Sequence, residues 1–230
     1  EKSIRSILQQ TLKPKEIIII NDCSTDKTLN LLKKFNQIKI INNKKNYGLA
    51  KSRNIALKYS KYNFLASIDS DVVCKKNWLE TLFNTMVKKK ADLIGGKLID
   101  KYIKEPANHW RSYYLKQNWG DKQINNPQFI FGANFLLNKK KIKNLNIKYN
   151  ETFRTNGEDV NFSKVLKSKN CNLYYEPRAL CYHYQFDDIT SLSKRYWRYS
   201  YYGAGLKKLT LTRLIRLILR QTKVLFYWMY

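Results

Sequence analysis

The feature that most constrains the fold is a regular alternation of apolar runs and helical segments over residues 3–99. The run EIIIIND at 16–22 has four consecutive isoleucines between polar ends, and a strand that is apolar on both faces is typical of the centre of a parallel sheet. Similar runs at 38–43, 63–70 and 92–99 predict three further strands, with helices between them. We therefore predict an α/β fold in which helices flank a mostly parallel sheet.

Carboxylates follow two of these predicted strands. Ligands of open α/β sheets bind outside the carboxyl ends of the strands, and Asp22 follows the first strand while Asp69 and Asp71 follow the third. The D-x-D spacing on an extended segment points both carboxylates to one side, where hard oxygen ligands suit Mg²⁺ or Mn²⁺. The tripeptide alone is common, so a solvated loop with Lys75 and Lys76 as counter-ions is the alternative.

The chain is strongly basic, but its net charge alone does not distinguish between possible functions. Lys and Arg number 44 and Asp and Glu 17, a formal net charge of +27, which attracts polyanions such as nucleotide phosphates, nucleic acid or anionic lipid. An AT-rich genome would also favour the abundant Lys, Asn, Ile and Tyr. No nucleic-acid-binding motif is evident, and the four cysteines form no CxxC pair of the kind that holds zinc.

Six segments occur in one order along the chain: EIIIINDCSTDKT, NYGLAKSRNIAL, FLASIDSDVV, FIFGANFLLN, GEDVNF and CYH. This ordered set resembles the family 2 glycosyltransferases, enzymes with the GT-A fold, from about residue 3 to about residue 203. The resemblance implies a Rossmann-like nucleotide-binding half plus an acceptor-binding half. It also implies a strand before residue 1, so we expect a catalytic domain at 1–205 that lacks its first strand.

The resemblance implies donor-side roles for the residues that match the family's motifs. Asp22 would hydrogen-bond the nucleotide base, and Arg53 would reach the nucleotide or its diphosphate. Asp71 would ligate Mn²⁺ or Mg²⁺, Asp69 would hold the ribose or the metal, and His183 would complete the metal site. The metal would neutralise the diphosphate leaving group. Without the resemblance, Asp22 could instead cap a helix and Arg53 could be an exposed helix residue.

The resemblance also implies acceptor-side roles. Asp159 would be the general base that deprotonates the acceptor hydroxyl, and Glu158 would orient it or contact the acceptor. A helix N-terminal charge pair is the alternative for these two carboxylates. Arg195, Trp197 and Arg198 are candidate acceptor-side residues, but a packed helix with snorkelling arginines explains them equally well.

Residues 206–230 differ in character from the rest of the chain. The basic residues form one stripe on a predicted helix and leucines and isoleucines largely occupy the other side, the pattern of an interfacial amphipathic helix. The stripe consists of Arg213, Arg216, Arg220 and Lys223. We expect this segment to associate with an anionic membrane surface at the cytoplasmic face, the alternative being a helix packed on the catalytic domain or on a dimer partner.

The resemblance implies an inverting, metal-dependent glycosyltransferase. It would move a sugar from a nucleotide-diphosphate sugar to an acceptor hydroxyl on a cell-surface polysaccharide or lipid-linked glycan, and no nucleic-acid partner is expected. A nucleotidyltransferase on a similar sheet, a basic nucleic-acid-binding protein and an inactive glycosyltransferase-like scaffold stay open as alternatives.

Overall fold

The computed structural model describes residues 1–205, and the predicted helix at 206–230 lies outside the described residues. The helices are α1 Lys2–Leu8, α2 Thr28–Leu32, α3 Leu49–Tyr59, α4 Trp78–Lys89, α5 Pro106–Tyr114, α6 Lys139–Asn144, α7 Glu158–Ser168 and α8 Ile189–Gly205. The strands are β1 Ile18–Asn21, β2 Lys39–Asn42, β3 Phe64–Ile68, β4 Val72–Cys74, β5 Leu93–Asp100, β6 Ile124–Asn125, β7 Asn134–Asn138 and β8 Leu173–His183. None of the helices within residues 1–205 is long and apolar enough to cross a membrane.

The strands form two sheets, and the α/β class is confirmed. β1 and β2 pair in parallel, while the second sheet has the order β3-β7-β5-β8-β4, with β6 on the edge of β8. β5 pairs in parallel with β8, and β7 pairs antiparallel with both β3 and β5. Strands β3, β5 and β8 therefore run in one direction, as the alternating sequence predicts. β7, which comes later in the chain, lies between β3 and β5.

The isoleucine run forms β1 as predicted, but β1 is not a central strand within the described part of the chain. It pairs with β2 alone there, and three of its four residues are half-buried. β7 is buried more completely: Asn134, Phe135, Leu136 and Leu137 are all buried, because the strand has a neighbour on each side and helices over both faces.

The core has two layers because alternate residues of the central strands face opposite sides. On one side α4 covers the sheet, and Trp78, Leu82 and Met86 pack with Ile94 and Leu136. On the other side α6 and α7 cover it, and their apolar side chains pack with the odd-numbered neighbours in β5 and β7. Those residues are Leu93, Phe135, Leu137, Ile142, Phe162 and Leu166.

The pairing of β5 with β8 changes register part of the way along, and this change determines where the end of β8 lies. Gly96 lies opposite Glu176, but the next residue, Lys97, lies opposite Leu180. A side chain at Gly96 would come within 2.2 Å of the Ala179 carbonyl oxygen, so glycine is required at this irregularity. Beyond it, His183 lies opposite Asp100 on one side and opposite Val72 of β4 on the other.

We predict that Leu137→Ala destabilises the protein by about 2–5 kcal/mol, because it opens a cavity in the strand between β3 and β5. The matched control is Leu31→Ala on α2, whose side chain is exposed and whose loss is expected to cost less than about 0.5 kcal/mol. Urea unfolding curves measure both changes. Equal midpoints for the two variants would contradict the central position of β7.

Candidate active site

The carboxylate of Asp22 fixes the loop that leads into α3. Its Oδ1 accepts hydrogen bonds from the Asn43 side chain at 2.7 Å and the Tyr47 backbone at 2.9 Å, and its Oδ2 accepts from the Gly48 backbone at 2.8 Å. Gly48 has φ +89°, a conformation that favours glycine. Asp22 therefore orders the start of α3, and its predicted contact with a nucleotide base would use the remaining acceptor capacity of the carboxylate.

The start of α3 also packs directly on the segment that precedes α7. The Leu49 backbone donates to the Arg154 carbonyl at 2.7 Å, and a side chain on Gly48 would lie 2.6 Å from that same oxygen. The Asn54 side chain accepts from the Tyr149 backbone N–H and donates to its carbonyl, both at 2.9 Å. The motif NYGLAKSRN thus joins the end of β1 to the segment that precedes α7.

Arg53 is buried between four parts of the chain. Its Nη1 donates to Glu158, and its Nη2 donates to the Gly132 carbonyl at 2.9 Å and lies 3.5 Å from Asp69 Oδ1. Its guanidinium also lies over the Tyr149 ring, 5.6 Å from the centroid. Burial favours the neutral form, but the carboxylate of Glu158, followed by the other anionic groups nearby, outweighs it and raises the pKa of Arg53. The guanidinium is therefore a fixed positive charge inside the protein.

The two carboxylates at the start of α7 have different surroundings. Glu158 is 3% exposed and bonds to Arg53, while its Oε2 is buried without a hydrogen-bond partner in the described part of the chain. Burial is the main cause that raises the pKa of Glu158 to about 7, against the attraction of Arg53. Asp159 is half-buried, and its two oxygens accept from the Gly132 and Val160 backbones at 2.9 and 2.8 Å. Asp159 is thus the more exposed carboxylate of the pair.

Asp71 and His183 lie next to each other at the ends of neighbouring strands. Asp71 Oδ2 is 3.4 Å from His183 Nε2, and His183 Nδ1 is 3.1 Å from Asp100 Oδ1. Burial alone would lower the pKa of His183, but hydrogen bonds and charge from Asp100 and Asp71 raise it to about 9. Burial raises the pKa of Asp69, although the nearby Arg53 opposes it; the pKa of Asp71 is lowered because His183 outweighs its burial.

Asp69, Asp71 and His183 are the predicted ligands of a divalent cation. Within residues 1–205 no three His, Cys, Asp or Glu side chains are arranged as a ready metal centre. The side chains of Asp69 and Asp71 are 37% and 40% exposed, however, and the Asp71 carboxylate lies beside an imidazole nitrogen. Mg²⁺ is commonly held by one or two carboxylates together with substrate phosphates. By chemistry and exposure these donors fit Mn²⁺ or Mg²⁺, and Asp71, Asp69 and His183 are the side chains that would hold such an ion.

The three acceptor-side candidates on α8 have different surroundings. Arg195 is held by Asp187, to which its Nε and Nη2 donate at 3.1 and 3.2 Å. Trp197 is 65% exposed and stacks on Tyr201, with ring centroids 5.3 Å apart. Arg198 is half-buried, and its Nε is a buried donor without a partner in the described residues. Only Arg195 has a defined role here, which is to hold α8 on the protein.

The structure brings residues into the site that the sequence patterns do not single out. Gly132 contacts both Arg53 and Asp159 through its backbone, and an added side chain there would lie 2.5 Å from the Arg53 guanidinium. Tyr149 is buried beside Arg53 and stacks on Phe162 at 4.0 Å, and burial raises the pKa of its phenol. The glycine in FIFGAN was a visible signal for Gly132, whereas Tyr149 has no sequence signal that separates it from an ordinary core residue.

A family model and several known proteins are similar to this chain. The sequence model of Glycosyl transferase family 2 matches residues 1–166. An uncharacterized glycosyltransferase of Haemophilus influenzae is 29% identical over 173 residues, 67% of this chain and 54% of that protein. The poly(ribitol-phosphate) beta-N-acetylglucosaminyltransferase TarP of Staphylococcus aureus is 40% identical over 102 residues, 42% of this chain and 31% of TarP. The chain thus spans about half or less of the length of these curated relatives.

A solved structure also shares the fold. The crystal structure of S. aureus TarS 1–349 in complex with UDP-GlcNAc matches with a TM-score of 0.65 at 19% sequence identity, covering 83% of this chain and 56% of that one. At this identity the likeness shows the fold alone, and it confirms the fold class that the sequence predicts.

We predict that Arg53→Ala lowers the free energy of unfolding by about 3–5 kcal/mol, because it leaves the buried Glu158 without its partner. Lys51→Ala on the same helix is the control: it breaks a more exposed pair with Glu151 and is expected to cost less than about 1 kcal/mol. Chemical denaturation of both variants tests this. A loss below 1 kcal/mol for Arg53→Ala would show that the guanidinium does not organise the site.

Proposed function

The chain belongs to Glycosyl transferase family 2, and from this membership we propose that it is an inverting glycosyltransferase that uses a nucleotide-diphosphate sugar. The observation that carries the proposal is the position of Arg53. This one side chain lies 3.5 Å from Asp69 on the donor side and bonds to Glu158, the neighbour of Asp159, on the acceptor side. The predicted donor carboxylates and the predicted base thus belong to one site.

The donor side supports binding of a nucleoside diphosphate. Asp22 lies at the end of β1 and Asp69 and Asp71 follow β3, the strand ends at which α/β folds bind nucleotides. The fold neighbour TarS has been crystallised with UDP and with UDP-GlcNAc, which makes a uridine nucleotide the first donor class to test. A Mn²⁺ or Mg²⁺ ion bound at Asp71, Asp69 and His183 would supply positive charge that stabilises the departing diphosphate.

The acceptor side supports general-base catalysis by Asp159. Both carboxylate oxygens are fixed by backbone N–H groups, so the group is oriented before substrate binds, and further acceptor positions stay available on each oxygen. Asp159 accepts the proton of the acceptor hydroxyl while that oxygen forms a bond to the anomeric carbon. The bond from the anomeric carbon to the diphosphate breaks, and its electron pair leaves with the diphosphate. A single displacement of this kind inverts the anomeric configuration.

Glu158 and Arg53 take positioning roles in this proposal. Glu158 is buried against Arg53, so it does not contact an acceptor in this arrangement but fixes the first turn of α7, on which Asp159 lies. Arg53 bonds to protein groups and approaches Asp69, so its action on the donor passes through that carboxylate. Both residues therefore stay in the site, with roles that differ from direct substrate contact.

The acceptor class follows from the relatives and from charge. TarP is named for transfer to poly(ribitol-phosphate), which supports a cell-surface polysaccharide or lipid-linked glycan as the acceptor here. The stretch from residue 189 to residue 230 has no Asp or Glu among its many Lys and Arg residues. This charge supports a peripheral location at an anionic membrane surface on the cytoplasmic side, where such an acceptor would be reached.

A donor screen with Mn²⁺ tests the activity itself. We expect release of nucleoside diphosphate from at least one UDP- or GDP-linked sugar in the presence of a membrane-derived glycan acceptor. Asp159→Asn should keep the donor affinity and lower kcat by about 10²- to 10⁴-fold, because it removes the base. Asp121→Asn, at a highly exposed carboxylate, should change neither. Full transfer activity in Asp159→Asn would contradict its assignment as the base.

Metal-dependent donor binding has its own test. Asp71→Ala should abolish the increase in UDP affinity that Mn²⁺ produces, as measured by calorimetry with and without the ion. Asp26→Ala is the control, since this exposed carboxylate accepts from the Thr28 backbone at 2.9 Å and faces no predicted ligand. If both variants retain the Mn²⁺ effect, Asp71 is not a metal ligand.

A further inference from the structure

A connected set of charged side chains runs from His183 into the protein, away from Asp71. Asp100 Oδ1 lies 3.1 Å from His183 Nδ1 and accepts a hydrogen bond from Arg111 Nη2, also at 3.1 Å. Arg111 Nη1 in turn donates to Asp187 at 2.7 Å, and Asp187 also binds Arg195 of α8. None of the sequence motifs points to Asp100, Arg111 or Asp187.

The inner part of this set is buried and is held by further hydrogen bonds. Arg111 is 3% exposed and Asp187 is 1% exposed. Asn108 holds the backbone of Asp187 from both sides, accepting from its N–H at 2.9 Å and donating to its carbonyl at 3.0 Å. Arg111 Nη2 also donates to the Gln185 carbonyl at 3.0 Å. Burying these charges costs several kcal/mol per ion, so such a set is poor evidence for stability and better evidence for a fixed geometry.

Asp100 lies on the Nδ1 side of the His183 ring. Asp100 lies directly opposite His183 in the β5–β8 pairing, and a carboxylate can only accept, so Nδ1 carries the shared proton. The other ring nitrogen, Nε2, is then directed toward Asp71 Oδ2, 3.4 Å away. Metal-binding histidines commonly have this arrangement, in which a carboxylate holds one ring nitrogen and the metal takes the other.

We propose that Asp100 is the positioning residue of His183, and that the buried Arg111 fixes Asp100 so that Nε2 faces a cation beside Asp71. The proposal rests on the divalent-cation site of the proposed function and adds the residues that orient it. Through Asp187 and Arg195, the same set of charged side chains also connects the first turns of α8 to Asp100 and His183.

The affinity of the 230-residue chain for Mn²⁺ alone, measured from the free-ion EPR signal, tests the proposal. Asp100→Ala should weaken Mn²⁺ binding by about 10- to 100-fold, the usual effect of losing such a partner. Asp100→Asn keeps the shape and an acceptor oxygen and should weaken it less, which provides a readout if the alanine variant does not fold. Asp121→Ala, at an exposed carboxylate that pairs with Lys97, should stay within about twofold of the unmodified chain.

A double-variant comparison separates positioning from general destabilisation. If Asp100 acts through His183, then Asp100→Ala should have no further effect on Mn²⁺ affinity in a His183→Ala background. Equal losses in both backgrounds, or an affinity unchanged by Asp100→Ala and Asp100→Asn alike, would overturn the proposal. A lower melting temperature with unchanged Mn²⁺ affinity would also overturn it, since that is the result of a purely structural role.

The outcome for two further variants distinguishes this proposal from the one on which it rests. If Asp71→Ala weakens Mn²⁺ binding and His183→Ala does not, the cation site stands and the role of Asp100 is wrong. If neither variant weakens Mn²⁺ binding, the cation site and the role of Asp100 are both wrong.

Discussion

The candidate site is organised by the hydrogen bonds and ion pairs of the buried Arg53 guanidinium. Arg53 is part of α3, and it contacts the turn before β7, the start of α7 and the end of β3. Along the sequence, these segments are up to about 100 residues apart. Because Glu158 and Gly132 are bound directly to Arg53, and both adjoin Asp159, the position of the predicted base follows from the position of this cation. Removing a partner from a buried charge is strongly destabilising. The contacts of Arg53 therefore fix the geometry of the site before any substrate binds.

Several carboxylates lie close together in the candidate site of this strongly basic chain, and nearby positive charge offsets their repulsion. Burial raises the pKa of Glu158 and of Asp69, and repulsion among Asp69, Glu158 and Asp159 adds to this effect. Arg53 offsets this repulsion from within, and a divalent cation beside Asp71 would offset it from the donor side. The local arrangement, rather than the formal net charge of +27, is what bears on function.

Much of the fold could be predicted from local pattern, and the parts that could not depend on long-range pairing. The runs that form β1, β2, β3 and β5 are visible because strand residues are apolar and bounded by polar ones. The insertion of β7 between β3 and β5 is not visible, since nothing in the sequence NFLLN states which strands will flank it. For the same reason the half-buried state of β1 could not be foreseen from its isoleucines.

Local patterns in the chain indicate the family, the α/β class and the candidate site residues Asp22, Asp69, Asp71, Asp159 and His183, because ordered motifs and strand ends are local properties. The contacts of the charged side chains follow from the folded structure alone. Arg53 is enclosed by protein groups and bonds to Glu158, while Asp100 bonds to His183 and to Arg111. The physical reason is that the role of a charged side chain depends on its burial and its partners. Here those partners come from distant segments that meet only when the sheet is formed.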